Sequence, residues 1–334
     1  MSINTRDIVF KLDEKHRYII DYSNLKDDLF NSLSKDFCSF DDLNQYDCNI
    51  NLGIPFLLPV GMKEFRYFNN ETFFLDKLQI AQKVFNSTCE DYIGVDLITK
   101  KGLTFTQYGE PKEEFNEIIN LIREKNKSCI DLVSNLRKKN KTICAFQTRN
   151  IPHIGHERII QEGLKYADYV VINPVIGVRK EGDIKPHIIE KAFNYLIDNY
   201  YGDNVIYSPI IANMFYAGPR EACHHTILRQ NIGFTHFIVG RDHAGAENIY
   251  GALEASKAVQ ELDISINIIS IEGAYYCDKQ KRAVIKGIDD YDNDSIKEIS
   301  GSDFRNAFKN NKDFQYMRND LFNYIKGLKE DIFE

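Results

Sequence analysis

Residues 142–156 read TICAFQTRNIPHIGH, and this stretch decides the fold that the sequence predicts. Thr142 to Phe146 form a mainly apolar run of strand length, and helical spacing continues from His153 to Tyr166. A loop therefore joins the end of a strand to the start of a helix, where unpaired backbone N–H groups and the helix dipole favour a bound anion. The pattern predicts an anion site able to hold nucleotide phosphates.

The side chains of this loop and of the first helical turn suit an oxyanion. Gln147 and Arg149 alternate along an extended segment, so both can point to one side and offer an amide and a planar guanidinium. His153 and His156 lie on neighbouring positions of the first turn, and Gly155 leaves room for a nucleotide to come close. The structural alternative is a helix-opening loop whose histidines only cap and pack.

Downstream, short apolar runs alternate with longer amphipathic ones, which predicts a parallel sheet covered by helices on both faces. Such a sheet binds ligands beyond the carboxyl ends of its strands, where the strand order reverses. The predicted strands are 142–146, 167–172, 205–211, 236–239 and 264–271, and the predicted helices are 153–166, 185–200, 218–231 and 246–262.

A second polar group follows the predicted strand 236–239, with the sequence GRDHAG at 240–245. It emerges at the same sheet edge as the first loop, so the two groups are predicted to converge on one site. Arg241 could hold phosphate oxygens, and Gly245 could let backbone amides approach an anion. An ordinary strand-to-helix turn with a surface ion pair is the alternative.

Two further motifs leave function and structure equally open. Residues 217–221, AGPRE, begin a helix with Pro in its first turn, as a plain helix start also would. Residues 299–305, ISGSDFR, place hydroxyls and a glycine at a helix start, with an arginine one turn later. That arrangement can hold a phosphate, and N-capping explains it as well.

Charge and cysteine usage exclude some classes of protein. A formal charge of −7 argues against a protein that coats nucleic acid. Seven cysteines without a CxxC spacing indicate reduced thiols and a cytoplasmic location. No apolar run approaches the roughly 18 residues of a membrane span, and residues 1–13 carry charges where a signal peptide would be apolar.

The 334 residues are expected to form more than one compact unit. Residues 1–140 combine short apolar stretches, at 54–60, 65–68, 72–75 and 92–98, with helical spacing at 112–137, which indicates mixed β with a few helices. A basic cluster at 137–141 marks a boundary near 138–141, and 302–334 are expected to form two closing helices.

The strings QTRN, HIGH, YAGPRE, HFIVGRDHAG and ISGSDFR, in that order, resemble the ATP sulfurylase (sulfate adenylyltransferase) family of HIGH-type nucleotidyltransferases. The resemblance covers about residues 142–308. It implies an α/β fold with an N-terminal PUA-like mixed β domain (1–139), a Rossmann-like catalytic domain (140–272) and a small C-terminal helical subdomain (273–334). It also implies that sulfate attacks the α-phosphorus of MgATP to give adenylyl sulfate and pyrophosphate, and that the protein forms homo-oligomers.

The resemblance implies roles for single residues. Gln147 and Arg149, with the backbone of Ala244, would hold sulfate. The catalytic group would comprise Thr148, Arg149, Asn150, His153 and His156, with the two histidines stabilising charge on the phosphates. The implied ATP site consists of Gln147, Thr148, Arg149, Asn150, His153, His156, Gly240, Arg241, Asp242 and His243. No metal site is expected, because Cys277 alone stands where bacterial members often carry a cysteine cluster that could bind zinc.

Other functions remain open at this point. A related nucleotidyltransferase could act on a different oxyanion or on a phosphorylated metabolite. A non-catalytic nucleotide-binding homologue, or an RNA-binding protein acting through the PUA-like part, would belong to another class. The sequence does not identify the acceptor or the physiological direction.

Overall fold

A computed structural model describes residues 14–29, 94–95, 102–103, 111–178, 183–214, 218–241, 243–244, 251–299, 301–310, 312–329 and 331–333. Its helices are α1 (Glu14–Lys26), α2 (Asn116–Lys138), α3 (Ile154–Tyr166), α4 (Pro186–Tyr200), α5 (Pro219–Ile232), α6 (Glu254–Gln260), α7 (Gly301–Lys309) and α8 (Asn319–Gly327). Within these ranges no helix is both long and apolar enough to cross a bilayer.

The strands are β1 (Gly94–Val95), β2 (Gly102–Leu103), β3 (Ile143–Phe146), β4 (Tyr169–Ile172), β5 (Val175–Ile176), β6 (Val205–Tyr207), β7 (Ile210–Ile211), β8 (His236–Gly240), β9 (Asn267–Ile271), β10 (Ala274–Cys277), β11 (Arg282–Ile285) and β12 (Ile296–Glu298). Five of them form a parallel sheet in the order β6-β4-β3-β8-β9. This is the Rossmann order, and it reverses between β3 and β8, with Phe146 opposite Ile238. The predicted parallel sheet is confirmed.

Successive side chains of a strand point to opposite faces of the sheet, so alternate residues of the central strands pack in two different cores. On β3, Ile143 and Ala145 belong to the core under α2 and α5, whereas Cys144 and Phe146 belong to the core under α3 and α4. All four side chains are buried. Both faces of the sheet are therefore covered, which explains why its strands are apolar runs without polar alternation.

The prediction of one continuous strand over 205–211 is wrong. It divides into β6, in the main sheet, and β7, which pairs with β5 in a separate two-stranded sheet. Pro209 separates the two pieces, and proline has no N–H to donate to a strand ladder.

Two other elements differ from expectation. The helix predicted for 246–262 begins at Glu254, because residues 251–253 form a turn; residues 246–250 lie outside the described ranges. The C-terminal part is not purely helical, since β10, β11 and β12 form an antiparallel sheet before the two closing helices. Those closing helices, α7 and α8, are confirmed.

The helix predicted for 112–137 is present as α2, preceded by a turn of 3-10 helix. It packs with α1 in the same core as β3 and β8. Asn126 joins the two helices to β7: its amide donates to Asn24 at 2.9 Å, and its carbonyl accepts from the N–H of Ile211 at 2.7 Å. Most of the region expected to be PUA-like lies outside the described residues.

Candidate active site

The loop after β3 is closed by two histidines that cap α3. His153 is the N-cap, and its Nδ1 accepts from the backbone N–H of Gly155 at 3.1 Å and of His156 at 3.4 Å. In return, Nδ1 of His156 accepts from the N–H of His153 at 3.3 Å. The two rings stack with centroids 3.8 Å apart. The predicted shared face is thus present, and the histidines satisfy N–H groups that a helix start leaves unpaired.

Both histidines are neutral near pH 7. Burial lowers the pKa of His156 to about 4 and that of His153 well below its ordinary value of 6.5. Because Nδ1 of each ring accepts a backbone bond, Nε2 carries the hydrogen. Nε2 of His156 lies 3.2 Å from the hydroxyl oxygen of Thr148, which also accepts from the N–H of Asn150 at 3.2 Å. The pair therefore orients the loop as a neutral donor and not as a cation.

The structure changes the interpretation of Gly155. A Cβ atom placed there would lie 2.9 Å from Cε1 and 3.0 Å from Nδ1 of His153. The glycine makes room for the capping ring, so the expectation that it serves the approach of a nucleotide is not needed to explain it.

The opposite wall of the site follows β8. Ala244 has φ 57°, in the left-handed region that costs a residue with Cβ roughly 1–2 kcal/mol. Its carbonyl accepts from the N–H of Gly218, at 3.3 Å, and Gly218 is the N-cap of α5 with φ 57°. The turn is therefore anchored to the start of a neighbouring helix. Asp242 and Gly245 lie outside the described residues.

Arg241 reaches from this wall to the C-terminal sheet. Its guanidinium forms an ion pair with Glu298 on β12 and donates to the hydroxyl of Tyr275 on β10, at 3.0 Å. The hydrogen bond to Glu298 raises the pKa of Arg241 above its usual range. Neither partner was expected from the sequence, because each follows Arg241 by more than thirty residues.

A cavity of about 260 Å³ lies between the two walls, at the carboxyl edge of the sheet where the strand order reverses. The two polar loops converge there, as predicted from the sheet. Oε1 of Gln147 is buried and has no hydrogen-bond partner among the described residues, so this amide is available to a ligand. The lining residues are Phe146, Gln147, Thr148, Arg149, Asn150, Ile159, Val175, Met214, Ile238, Gly240, Arg241, His243 and Ala244.

His153 and His156 do not line this cavity; His156 contacts it through Thr148, and His153 stacks on His156. The sequence also missed its apolar wall of Ile159, Val175, Met214 and Ile238. These four residues carry no signal beyond ordinary core spacing, and only the fold brings them to the cavity.

The motif at 299–305 contacts the first loop. Gly301 opens α7, and a Cβ atom placed on it would lie 2.9 Å from Oδ1 of Asn150. The glycine therefore lets the start of α7 approach the Asn150 amide. The C-terminal part of the chain helps to position the loop that follows β3.

Comparison with known proteins identifies the family of the chain. The sequence model of the ATP-sulfurylase family matches residues 131–326. The chain is 33% identical to the sulfate adenylyltransferase of Pyrococcus abyssi, over 97% of this chain and 92% of that protein. It is 40% identical to the sulfate adenylyltransferase of Thermococcus onnurineus, over 63% of this chain and 55% of that protein. It is 45% identical to the sulfate adenylyltransferase of Aeropyrum pernix, over 41% of this chain and 36% of that protein. The chain belongs to the ATP-sulfurylase family.

Proposed function

We propose that the protein is a sulfate adenylyltransferase. An oxygen of sulfate attacks the α-phosphorus of ATP, and the bond from that phosphorus to the bridging oxygen of the β-phosphate breaks. Adenylyl sulfate forms and pyrophosphate leaves. The observation that carries the proposal is the cavity at the reversal of strand order, lined by the polar loops after β3 and β8 in a chain of this family.

Sulfate would bind between Gln147, Arg149 and the backbone of Ala244. All three line the cavity, and the Gln147 amide has a buried atom without a partner among the described residues. Sulfate is already ionised near neutral pH, so the reaction needs no base to activate it. Catalysis would then come from holding the attacking oxygen in line and from stabilising charge.

ATP would occupy the remainder of the cavity as its magnesium complex, with Mg²⁺ held mainly by phosphate oxygens as part of the substrate. Gly240 leaves open space, since a Cβ atom there would meet nothing within 4 Å. Arg241 would exchange Glu298 for phosphate oxygens. Asp242 and His243 complete the implied ATP site, with the loop residues Gln147, Thr148, Arg149 and Asn150.

The two capping histidines would act as neutral hydrogen-bond donors. His156 would work through Thr148, whose hydroxyl oxygen accepts from the ring and whose own hydrogen is left for a ligand. His153, stacked on His156, keeps that ring in place. Charge on the leaving pyrophosphate would then be stabilised mainly by arginine and Mg²⁺.

Production of ATP from adenylyl sulfate and pyrophosphate tests the proposal in the thermodynamically favourable direction. We expect continuous ATP formation, followed by luciferase luminescence. Absence of ATP with protein shown to be folded by circular dichroism overturns the assignment. In the forward direction, release of pyrophosphate with sulfate, selenate, molybdate and phosphate compounds identifies the acceptor.

The remaining expectations from the resemblance stay predictions. Limited proteolysis tests the domain limits at 139 and 272 and the PUA-like character of the N-terminal part. Light scattering after size exclusion tests the homo-oligomer, and fractionation of cells tests the cytoplasmic location.

A further inference from the structure

Three polar side chains form a line from the core to the cavity. His243 lines the cavity, and its Nε2 lies 3.2 Å from Nδ1 of His225. On the other side of that ring, Nε2 of His225 lies 3.4 Å from a carboxylate oxygen of Glu221. Glu221 is 0% exposed and His225 is 1% exposed, so water does not reach their contact.

The helix α5 holds the inner two members of the line. Glu221 and His225 are four residues apart, which places them on one face of the helix. The N-cap of this helix is Gly218, whose N–H donates to the carbonyl of Ala244, next to His243. The motif AGPRE thus contributes a helix start tied to the cavity wall and a carboxylate directed at the line.

Both imidazoles are neutral near pH 7. Burial lowers the pKa of His225 well below its ordinary value and that of His243 to about 3. The cationic Arg229, also buried, lowers the pKa of both rings further. Two neutral rings share a single hydrogen between facing nitrogens, so one ring donates and the other accepts.

Glu221 decides which ring donates. The negative charge of an ionised Glu221 favours the hydrogen of His225 on Nε2, which leaves Nδ1 of His225 to accept from Nε2 of His243. The reverse arrangement would direct a nitrogen lone pair at a carboxylate oxygen in a site without water. At 3.4 Å the contact is not a hydrogen bond, because Nε2 of His225 is buried without a hydrogen-bond partner among the described residues, so the carboxylate acts on the ring through its charge.

We propose that Glu221 and His225 are positioning residues that fix His243 as a hydrogen-bond acceptor for a donor group of the nucleotide. In this arrangement Nδ1 of His243 carries no hydrogen. Phosphate oxygens near neutral pH are acceptors as well, so they are not its partner. ATP offers donors elsewhere, in the amino group of its base and in the ribose hydroxyls. The identity of the nucleotide rests on the proposed function, whereas the state of the ring does not.

The state of the ring can be measured without turnover. In protein labelled with ¹⁵N-histidine, we expect His243 to show a protonated Nε2 and an unprotonated Nδ1, and His225 a protonated Nε2. Comparison with His243→Asn and His225→Asn assigns the resonances. Protonated Nδ1 on His243 in the unmodified protein overturns the proposal.

Variants of Glu221 separate positioning from a general structural defect. Glu221→Met removes the carboxylate and should give His243 a mixture of both tautomers. Glu221→Gln presents an amide that can accept from His225 or donate to it, so it should weaken the tautomer preference less than Glu221→Met does. His224→Asn alters a neighbouring buried histidine of the same helix and should leave the His243 resonances unchanged. Unchanged His243 resonances in folded Glu221→Met contradict the proposal; if that variant does not fold, the tautomer of the unmodified protein still decides.

Nucleotide selectivity identifies the donor. We expect kcat/KM to fall roughly 10-fold when the partner of His243 is removed from the nucleotide, the value of one hydrogen bond. A loss with purine riboside triphosphate identifies the amino group, and a loss with 2′-deoxy-ATP or 3′-deoxy-ATP identifies a hydroxyl. In Glu221→Met, the ratio of kcat/KM between ATP and the nucleotide that lacks the donor should fall towards one, and in Glu221→Gln it should fall less. An equal loss for every nucleotide contradicts positioning, and a complete lack of turnover by the unmodified protein contradicts the proposed function instead.

Discussion

The ring of His156 and the hydroxyl of Thr148 form a buried hydrogen bond, with Nε2 3.2 Å from Oγ1. Thr148→Val keeps the branched shape of the side chain. It removes the hydroxyl oxygen that accepts from the His156 ring and from the N–H of Asn150. We expect kcat to fall about 100-fold, as when one oriented donor is removed from a transition-state site. Thr148→Ser retains the hydroxyl and should retain most activity; an equal loss in both variants would show that the methyl group matters instead.

Arg149 should be required for turnover and not for folding. It lies in the loop between β3 and α3 and lines the cavity. Arg149→Ala should abolish ATP formation from adenylyl sulfate while the thermal unfolding midpoint stays near that of the unmodified protein. Arg149→Lys keeps the charge without the planar fork and should recover only a small part of the rate. Near-normal activity in the alanine variant refutes the sulfate-binding role.

Stability should fall in mild acid, because buried histidines are neutral in the folded protein. Their pKa values lie below the ordinary 6.5, so the unfolded chain binds protons first as pH drops. Their stabilisation is complete above about pH 7 and is lost from there towards pH 4, by up to ~1.4 kcal/mol per pH unit for each histidine. The affected residues are His153, His156, His224, His225 and His243.

Asp21 has the opposite effect. Burial raises its pKa to about 7, so its folded form binds a proton first and gains stability as pH falls. Burial also raises the pKa of Asp27, which is less buried, and these two carboxyls do not cancel five histidines. Urea unfolding between pH 7 and pH 5 measures the net slope, and His224→Asn should reduce it by about one proton. A flat profile that His224→Asn does not alter would mean that the folded and unfolded protein take up protons on histidine equally.

The parallel sheet could be predicted from the sequence, because strands that are buried on both faces consist of continuous apolar residues, and these runs alternate with helical segments. The sequence did not predict the break between β6 and β7, although Pro209 was a visible signal, nor the antiparallel strands β10 to β12. The two polar loops followed from the strand ends. The charge of His153 and His156 could not be predicted, because it depends on how deeply tertiary packing buries them.

Contacts between site residues that are far apart along the chain could not be predicted from the sequence either. Glu221 and His225 are four apart and could be placed on one helix face, but their line to His243 exists only once α5 packs beside β8. Glu298 meets Arg241 because the C-terminal sheet folds back over the cavity edge. In both contacts the partners lie in different segments of the chain, so no helical or strand periodicity in the sequence relates them.

Glu298 should compete with ATP for Arg241. The side chains of the pair are 41% and 60% exposed, so breaking it should change stability little. Glu298→Gln should lower the KM for ATP by up to about 5-fold, the scale of a surface ion pair of ~1 kcal/mol. Tyr275→Phe leaves the ion pair and removes the hydroxyl contact, so its effect on KM should be smaller. A raised KM in Glu298→Gln would show that the carboxylate positions Arg241 and does not compete.

Gly301 should matter for turnover through Asn150. The added Cβ of Gly301→Ala would lie 2.9 Å from the Asn150 oxygen, and the end of that side chain can move at little cost in stability. Gly327→Ala is a matched control in α8, where a Cβ atom meets nothing within 4 Å. We expect both variants to unfold near the original midpoint and only Gly301→Ala to lose roughly 10-fold in kcat, since a displaced catalytic group forfeits orientation. Original kcat in Gly301→Ala would mean that the position of the Asn150 amide is not part of catalysis.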